Sequence, residues 1–244
     1  MKIKNIEINY VQYGKENGKE IVLLHGWGGS IKTVDPVGMG LKNGFHITLV
    51  DLPGFGGSEE PSEAIGVYDY ADILKELLIK LKINNPILFG HSFGGRIAII
   101  YAAKNQVHKL ILAGSPYKST NKKPTIKVRI LKILAKIPFL ESISLKMKNK
   151  IGSEDYKNAS PIMKQILVKA IHQDLTEHLK EISAPTLLFW GKVDKEVSLE
   201  DAKYAESIIP NAGLVIYENR GHYAYLEEIN RTILVLREFL KKDR

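Results

Sequence analysis

Seven short apolar runs recur along this chain, and segments of helical periodicity separate most of them. Most of the runs are nearly continuous rather than alternating, which is typical of central strands in a parallel sheet buried on both faces. Parallel pairing requires long crossovers, and the intervening helices supply them, so we predict an α/β fold with a mostly parallel central sheet flanked by helices. The predicted strands are Ile6–Tyr13, Ile21–Leu24, His46–Asp51, Pro86–Phe89, Lys109–Ala113, Thr186–Trp190 and Leu214–Tyr217, and the predicted helices are Tyr68–Leu81, Phe93–Lys104, Leu199–Ile208 and Tyr223–Lys241.

The alternation of strands and helices stops between residues 115 and 184. This segment holds several amphipathic helical patterns but no clear strand, and prolines interrupt it. We therefore expect a helical insertion, a cap or lid, over 115–184. The remaining residues, 1–114 and 185–244, would form the core that contains the sheet.

The positive charge of the chain is concentrated in that insertion. Of a net charge of +8, residues 118–150 carry +9, because they hold ten Lys or Arg residues and a single acid, Glu141. The rest of the chain is close to neutral. A basic patch confined to one module is a poor reason to infer nucleic-acid binding, so no nucleic acid is expected as a partner.

Residue usage also limits the cellular setting and the kinds of site. The chain has no cysteine, which excludes disulfides and thiolate metal sites and fits a reducing compartment. Its first ten residues lack the apolar run of a signal peptide, and no run is long enough to span a bilayer, so we expect a cytoplasmic protein. Metal-ligand clusters and phosphate-binding glycine motifs are missing, so we expect no cofactor and no metal.

The sequence GHSFGG, residues 90–95, lies between a predicted strand and a predicted helix. In that context G-x-S-x-G forms a tight turn that exposes the serine at the carboxyl end of the sheet. The turn leaves no room for side chains at Gly90 and Gly94. Ser92 is then the candidate nucleophile, and the backbone N–H of Phe93, at a helix N-terminus, is a candidate oxyanion donor.

A serine hydroxyl needs a base, and the base needs an orienting acid. With G-x-S-x-G the acid and then the histidine follow later in the chain, each after a strand. Asp194 and His222 meet this order and lie just past predicted strands, where open α/β sheets build their sites. Three nearby carboxylates remain alternatives for the acid, namely Glu196, Asp201 and Glu218. Five other histidines are expected to pack rather than react, namely His46, His91, His108, His172 and His178.

An early glycine-rich loop is the candidate source of a second oxyanion donor. The strand Ile21–Leu24 leads directly into HGWGG, residues 25–29. Glycines allow a backbone to approach a ligand closely. The N–H of Trp27 is therefore paired with that of Phe93, and His25 and Gly26 are expected to support the loop.

With these motifs in order, the chain resembles the α/β-hydrolase superfamily over nearly its whole length. The matching stretches are HGWGGS at 25–30, DLPGFGGS at 51–58, GHSFGG at 90–95, GKVD at 191–194 and GH at 221–222. The resemblance implies Ser92 as nucleophile, Asp194 as acid, His222 as base and a helical cap at 115–184. The chain departs from the family at Ser198 and Asn230, where many relatives have proline.

Within that superfamily, HGWG with DLPGFG is similar to the esterase that cleaves pimeloyl-carrier-protein methyl esters, to C–C hydrolases of ring-cleavage products, and to monoglyceride or aryl esterases. We expect hydrolysis of a carboxylic ester with a small or medium acyl group through an acyl-enzyme. A C–C bond hydrolase or thioesterase on the same triad remains an alternative. A non-catalytic ligand-binding protein on this fold is the alternative outside catalysis.

The segment TIKVRILKILAKI, residues 125–137, has one apolar and one basic helical face. Three interpretations remain open. The helix packs on the active-site opening with a solvated basic face, or the basic face docks an acidic carrier protein or anionic substrate. In the third, the helix rests on a lipid surface and controls access to lipid esters.

Overall fold

A seven-stranded sheet forms the centre of the fold in the computed structural model, which describes residues 1–119 and 159–243. A small antiparallel hairpin, β1 (Lys2–Ile3) and β2 (Ile6–Glu7), precedes it. The sheet strands are β3 (Tyr10–Gly14), β4 (Glu20–Leu24), β5 (His46–Val50), β6 (Ile87–His91), β7 (Lys109–Ala113), β8 (Thr186–Gly191) and β9 (Ala212–Tyr217). Their order is β3-β5-β4-β6-β7-β8-β9, and every neighbouring pair is parallel except β3 with β5. The predicted mostly parallel α/β sheet is thus confirmed.

Eight α-helices are described around this sheet. They are α1 (Ile31–Leu41), α2 (Val67–Lys80), α3 (Phe93–Lys104), α4 (Pro161–His172), α5 (Thr176–Glu181), α6 (Leu199–Ile208), α7 (Ala224–Glu227) and α8 (Ile229–Phe239). Ser198 caps α6, since its side chain accepts a hydrogen bond from Asp201 N at 3.1 Å. The serine that replaces the family's proline therefore has a structural role as a helix cap.

The two faces of the sheet bury two separate apolar clusters. In β4, Ile21 and Leu23 belong to one cluster and Val22 and Leu24 to the other, and all four side chains are fully buried. Because alternate residues of a strand point to opposite faces, a strand buried on both sides must be apolar throughout. Each of these side chains contributes on the order of 2 kcal/mol through removal of apolar surface from water.

Two predicted elements were wrong in detail, and one helix was not predicted. The predicted strand Ile6–Tyr13 divides into β2 and β3, and the predicted helix Tyr223–Lys241 breaks at Glu228 into α7 and α8. Helix α1 was missed because it contains Pro36 and two glycines, which lower helix propensity. Tertiary packing explains Gly38, where a Cβ would lie 2.5 Å from the hydroxyl oxygen of Tyr13.

Both ends of the described part of the insertion are attached to α3. The buried Arg96 guanidinium donates to the carbonyl oxygen of Pro116, at 3.0 Å, and to that of Gln173. Leu175 N donates to the carbonyl oxygen of Tyr117 at 2.8 Å, which joins the two ends directly. Residues 115–119 and 159–184 contain helices and no strand.

The cap boundaries at 115 and 184 stay a prediction. The amphipathic segment 125–137 and nearly all of the basic segment 118–150 lie outside the described residues. Within the described ranges no helix is both long enough and apolar enough to cross a membrane. The cytoplasmic location also stays a prediction.

Candidate active site

Ser92 occupies a strained turn between β6 and α3, residues 90–95, which we call the elbow. Its φ of 49° and ψ of −112° lie outside the backbone regions that residues other than glycine normally adopt. A Cβ at Gly90 would lie 2.6 Å from the carbonyl oxygen of Gly94, and one at Gly94 would lie 2.6 Å from that of His25. Both positions therefore require glycine, as the motif predicts.

His222 and Asp194 form a direct hydrogen bond. The Nδ1–H of His222 donates to Oδ2 of Asp194 at 2.9 Å, and the side chains are 9% and 0% exposed. Burial alone would raise the pKa of Asp194. The hydrogen bond and charge of His222, with backbone N–H groups of Val197 and Glu196, outweigh burial and hold that pKa below its ordinary value. An ionised Asp194 can thus orient the imidazole.

The three alternative acids make other contacts. Glu196 approaches the opposite nitrogen of the imidazole, with Oε2 3.5 Å from His222 Nε2. Asp201 bonds to Ser198 and Lys118. Glu218 accepts from Lys192 Nζ at 2.6 Å. Among these carboxylates, Asp194 is the one that contacts Nδ1.

Ser92 and His222 approach two consecutive residues at the end of β7, Ala113 and Gly114. Ser92 N donates to the carbonyl oxygen of Ala113 at 3.0 Å. The next residue, Gly114, has a φ of +51°, and a Cβ there would lie 3.1 Å from Nδ1 of His222. A glycine at this position lets the imidazole lie against the strand end beside the elbow. The serine turn and the His222 loop, which are far apart in the chain, thus both lie at the end of β7.

The HGWG loop packs directly on the elbow. His25 accepts a hydrogen bond from Gly94 N on its carbonyl oxygen at 3.1 Å, and a Cβ at Gly26 would lie 3.2 Å from Cβ of Ser92. The rings of Trp27 and Phe93 meet edge to face with centroids 5.2 Å apart. The two predicted oxyanion donors therefore belong to neighbouring segments on one side of the serine.

His25 supports this loop as a neutral imidazole. Burial lowers its pKa. Its Nδ1–H donates to the carbonyl oxygen of Gly26 at 2.7 Å, and its Nε2 accepts from Leu52 N at 3.0 Å. The hydrogen bond from the backbone amide of Leu52 thereby joins the HGWG loop to the DLPGFGGS segment. The supporting role of His25 and Gly26 at the site stays a prediction.

Asp51 is a positioning residue that the sequence analysis did not single out. Its Oδ1 accepts from Ile31 N at 2.7 Å, and its Oδ2 accepts from Asn9 Nδ2 at 2.7 Å and Gly57 N at 2.8 Å. A Cβ at Gly56 would lie 2.2 Å from the Asp51 carboxyl carbon. The available signal was the glycine-rich loop that directly follows a strand ending in an aspartate.

His91, the residue before the nucleophile, is fully buried beside His222. Burial, and secondarily the charge of His222, lower the pKa of His91 to about 3. Its ring lies on that of His222, with centroids 4.9 Å apart, and it also contacts Tyr223 and Tyr225. The expectation that His91 packs rather than titrates agrees with this environment.

A cavity of about 510 Å³ lies beside Trp27. Aromatic and thioether side chains provide its apolar wall, and Glu60 and Ser160 provide its polar wall. Ser160 Oγ donates to Glu60 Oε1 at 2.7 Å. The lining residues among those described are Trp27, Gly28, Gly54, Phe55, Glu60, Ala159, Ser160 and Met163.

This arrangement of sheet, elbow and histidine loop defines the α/β-hydrolase class, and the chain belongs to the α/β-hydrolase superfamily. The family profile described as alpha/beta hydrolase fold matches residues 19–138. The chain is 31% identical to AB hydrolase superfamily protein YisY of Bacillus subtilis, over 91% of this chain and 92% of that protein.

Two further relatives differ from each other in their named activities. A 2-hydroxy-6-oxononadienedioate/2-hydroxy-6-oxononatrienedioate hydrolase of Pseudomonas putida is 26% identical over 94% of this chain and 91% of its own length. Lipase 1 of Psychrobacter immobilis is 28% identical over 91% of this chain and 77% of its own length. These names distinguish two kinds of hydrolase on one fold.

Solved structures agree on the fold. An esterase from Exiguobacterium antarcticum superposes with a TM-score of 0.73 at 24% identity, covering 97% of this chain and 95% of the esterase. A bromoperoxidase from Bacillus anthracis superposes with a TM-score of 0.77 at 23% identity, covering 97% of this chain and 96% of the bromoperoxidase. Since both superpose well, the fold alone does not define the reaction.

Proposed function

We propose that this chain is a serine hydrolase that cleaves a carboxylic ester through an acyl-enzyme. Ser92 is the nucleophile, His222 the general base and Asp194 the orienting acid. The observation that carries the proposal is the 2.9 Å hydrogen bond between His222 Nδ1 and buried Asp194, because it directs Nε2 away from the acid. Nε2 is then the nitrogen that exchanges the proton with Ser92.

In the first half-reaction, Ser92 Oγ bonds to the ester carbonyl carbon while His222 Nε2 takes the hydroxyl proton. The carbonyl π electrons move to oxygen, and the N–H groups of Trp27 and Phe93 stabilise the oxyanion. When the C–O bond to the alcohol breaks, imidazolium protonates the leaving oxygen. Loss of one oxyanion donor typically lowers kcat by about 100-fold or more.

In the second half-reaction, water attacks the acyl-enzyme carbonyl carbon. His222 takes a proton from the water and returns one to Ser92 Oγ as the acyl–serine bond breaks. The products are the carboxylic acid and the free enzyme. This cycle uses side chains and backbone groups of the chain itself.

The lipase among the relatives supports an ester substrate. The 2-hydroxy-6-oxononadienedioate hydrolase favours a second candidate, hydrolysis of a C–C bond on the same triad. A contact of the basic segment 118–150 with an acidic carrier protein or a lipid surface stays a prediction.

Hydrolysis of p-nitrophenyl esters from acetate to palmitate tests the ester proposal. We expect activity that peaks at one acyl length and disappears in Ser92→Ala. Ser207→Ala, an exposed serine of α6, is the matched control and should retain wild-type turnover. Wild-type turnover by Ser92→Ala would overturn the assignment.

Labelling with a fluorophosphonate distinguishes the two candidates from a non-catalytic protein. We expect one label per chain, on Ser92, even where p-nitrophenyl esters are poor substrates. Labelling without ester turnover, together with cleavage of a ring-cleavage product, would favour the C–C hydrolase. A chain that is neither labelled nor active on either substrate class would contradict both enzymatic candidates.

A further inference from the structure

The His222 imidazole lies between two carboxylates. Asp194 accepts from Nδ1 at 2.9 Å, and Oε2 of Glu196 lies 3.5 Å from Nε2. The first contact belongs to the proposed triad. The second places a negative charge on the side of the ring where protons would be exchanged with Ser92 and the leaving group.

The backbone of Glu196 is held at a defined position. Its N–H donates to Oδ1 of Asp194 at 2.8 Å, and the next residue, Val197, donates to the same oxygen at 3.1 Å. The indole N–H of buried Trp190 donates to the carbonyl oxygen of Val197 at 3.0 Å. The Glu196 side chain therefore extends toward His222 from an ordered turn, although it is 65% exposed.

Other groups around the ring contribute less charge on that side. His91, packed on the imidazole from β6, is neutral because burial lowers its pKa to about 3. Tyr223 meets the ring edge to face. Asp194 bonds to the opposite nitrogen. Among the described groups that contact the imidazole, Glu196 is thus the carboxylate at Nε2.

We propose that Glu196 is a specificity-determining residue, whose charge at Nε2 of His222 selects uncharged esters over esters that carry a carboxylate near the scissile carbonyl. The inference rests on the proposed function, since it assumes that Nε2 faces the substrate. Like charges a few ångströms apart repel, and water and salt weaken that repulsion at an exposed site. The same charge favours departure of the carboxylate product.

Two esters of equal chain length test this selectivity, p-nitrophenyl butyrate and mono-p-nitrophenyl succinate. We expect the wild type to prefer the butyrate. Glu196→Gln should reduce the ratio of their kcat/KM values by about fivefold at low ionic strength, and the difference should shrink in 1 M salt. The control is Glu238→Gln on α8, where an exposed glutamate pairs with Lys241, and it should leave the ratio unchanged.

The titration of His222, followed by NMR in the full chain, provides a readout that needs no substrate. Removing a negative charge from beside an imidazolium disfavours its protonated form. The midpoint for His222 should therefore move to lower pH in Glu196→Gln, by about half a unit, and the acidic limb of the pH–rate profile should move with it.

The outcomes separate the two proposals. If the wild type hydrolyses esters but Glu196→Gln changes neither the substrate ratio nor the His222 midpoint, the selectivity is wrong and the serine hydrolase stands. If the wild type hydrolyses neither these two esters nor any p-nitrophenyl ester from acetate to palmitate, the ester proposal and this selectivity are both overturned. In that case the titration still reports whether the charge of Glu196 acts on His222.

Discussion

The Nε2 nitrogen of His91 lies 3.2 Å from the backbone carbonyl oxygen of His222. Because a carbonyl only accepts hydrogen bonds, His91 carries its proton on Nε2 and donates it. The residue before the proposed nucleophile thus holds the backbone of the proposed base. This contact joins β6 to a loop that lies 131 positions later in the chain.

Replacement of His91 tests this positioning role. His91→Leu removes the donor, so we expect kcat to fall by about 10- to 100-fold with little change in KM, because a small displacement of His222 affects the chemical step more than binding. His91→Gln retains an N–H donor and should recover part of the loss. Steady-state kinetics with a p-nitrophenyl ester measures both, and equal kcat values for wild type and His91→Leu would contradict the role.

Asp194→Asn should be the most damaging isosteric change among the acid candidates. An amide cannot stabilise the imidazolium as a carboxylate does and favours the wrong tautomer of His222, so kcat should fall by about 10³- to 10⁴-fold. Asp201→Asn is the control, since Asp201 bonds to Ser198 and Lys118. A larger loss in Asp201→Asn than in Asp194→Asn would reverse the assignment of the acid.

The steric requirement at the elbow is tested by Gly94→Ala. Its Cβ would lie 2.6 Å from the backbone oxygens of Leu24 and His25, so we expect a loss of about 2–4 kcal/mol in the free energy of unfolding. Gly213→Ala in β9 is the matched control, because the nearest atom to its Cβ is Cδ1 of Leu187 at 3.9 Å. Urea denaturation measures both variants, and similar midpoints would show that the elbow tolerates a methyl group.

Asp243 should make the stability of the fold depend on pH. Burial acts to raise its pKa, but hydrogen bonds from Lys109 Nζ, at 2.6 Å, and His108 Nε2, at 2.7 Å, outweigh it and lower the pKa. Because the pKa of Asp243 is lower in the folded than in the unfolded chain, its ionised form stabilises the fold. This contribution is fully present above the unfolded-state pKa of about 3.9 and is lost as the pH falls through the folded-state pKa.

Asp243→Asn should therefore be less stable than wild type at pH 7, and the difference should narrow below about pH 4. Thermal unfolding of both proteins between pH 3 and pH 7, spanning about that value, measures the difference. A gap that stays constant over this range would show that the charge of Asp243 contributes nothing. Lys109, which pairs with Asp243, begins β7, whereas Ala113 at the other end of that strand contacts Ser92, so activity at low temperature should be unchanged.

Much of the architecture could be predicted from local pattern. An apolar run is typical of a strand buried on both faces, so β7 was predicted with its observed bounds, and a helical pattern predicted α3 with its observed bounds. Steric exclusion is local at Gly90, whose Cβ would meet Gly94 and Gly95 in the same turn, whereas a Cβ at Gly94 would meet the backbone oxygens of Leu24 and His25 from a distant segment. The order of Ser92, Asp194 and His222 after their strands is likewise a local pattern, and it is the basis on which the sequence predicts the candidate site.

Other features depend on residues that are distant in sequence. Helix α1 contains Pro36, Gly38 and Gly40, and only the close packing of Tyr13 and Ile233 explains the two glycines. No local pattern distinguishes Asp194 from the neighbouring carboxylates, since the choice depends on how the loops after β8 and β9 meet.

The sequence alone therefore determined the sheet, the strained serine turn and the order of the candidate residues, because periodicity and sterics act over a few positions. Only the tertiary structure decided which atoms meet. It brings Asp194 to Nδ1 of His222 and Glu196 toward Nε2, and it buries His91 against the same loop. Hydrogen bonds and charge contacts act over a few ångströms, and those distances exist only once the strand ends are packed side by side.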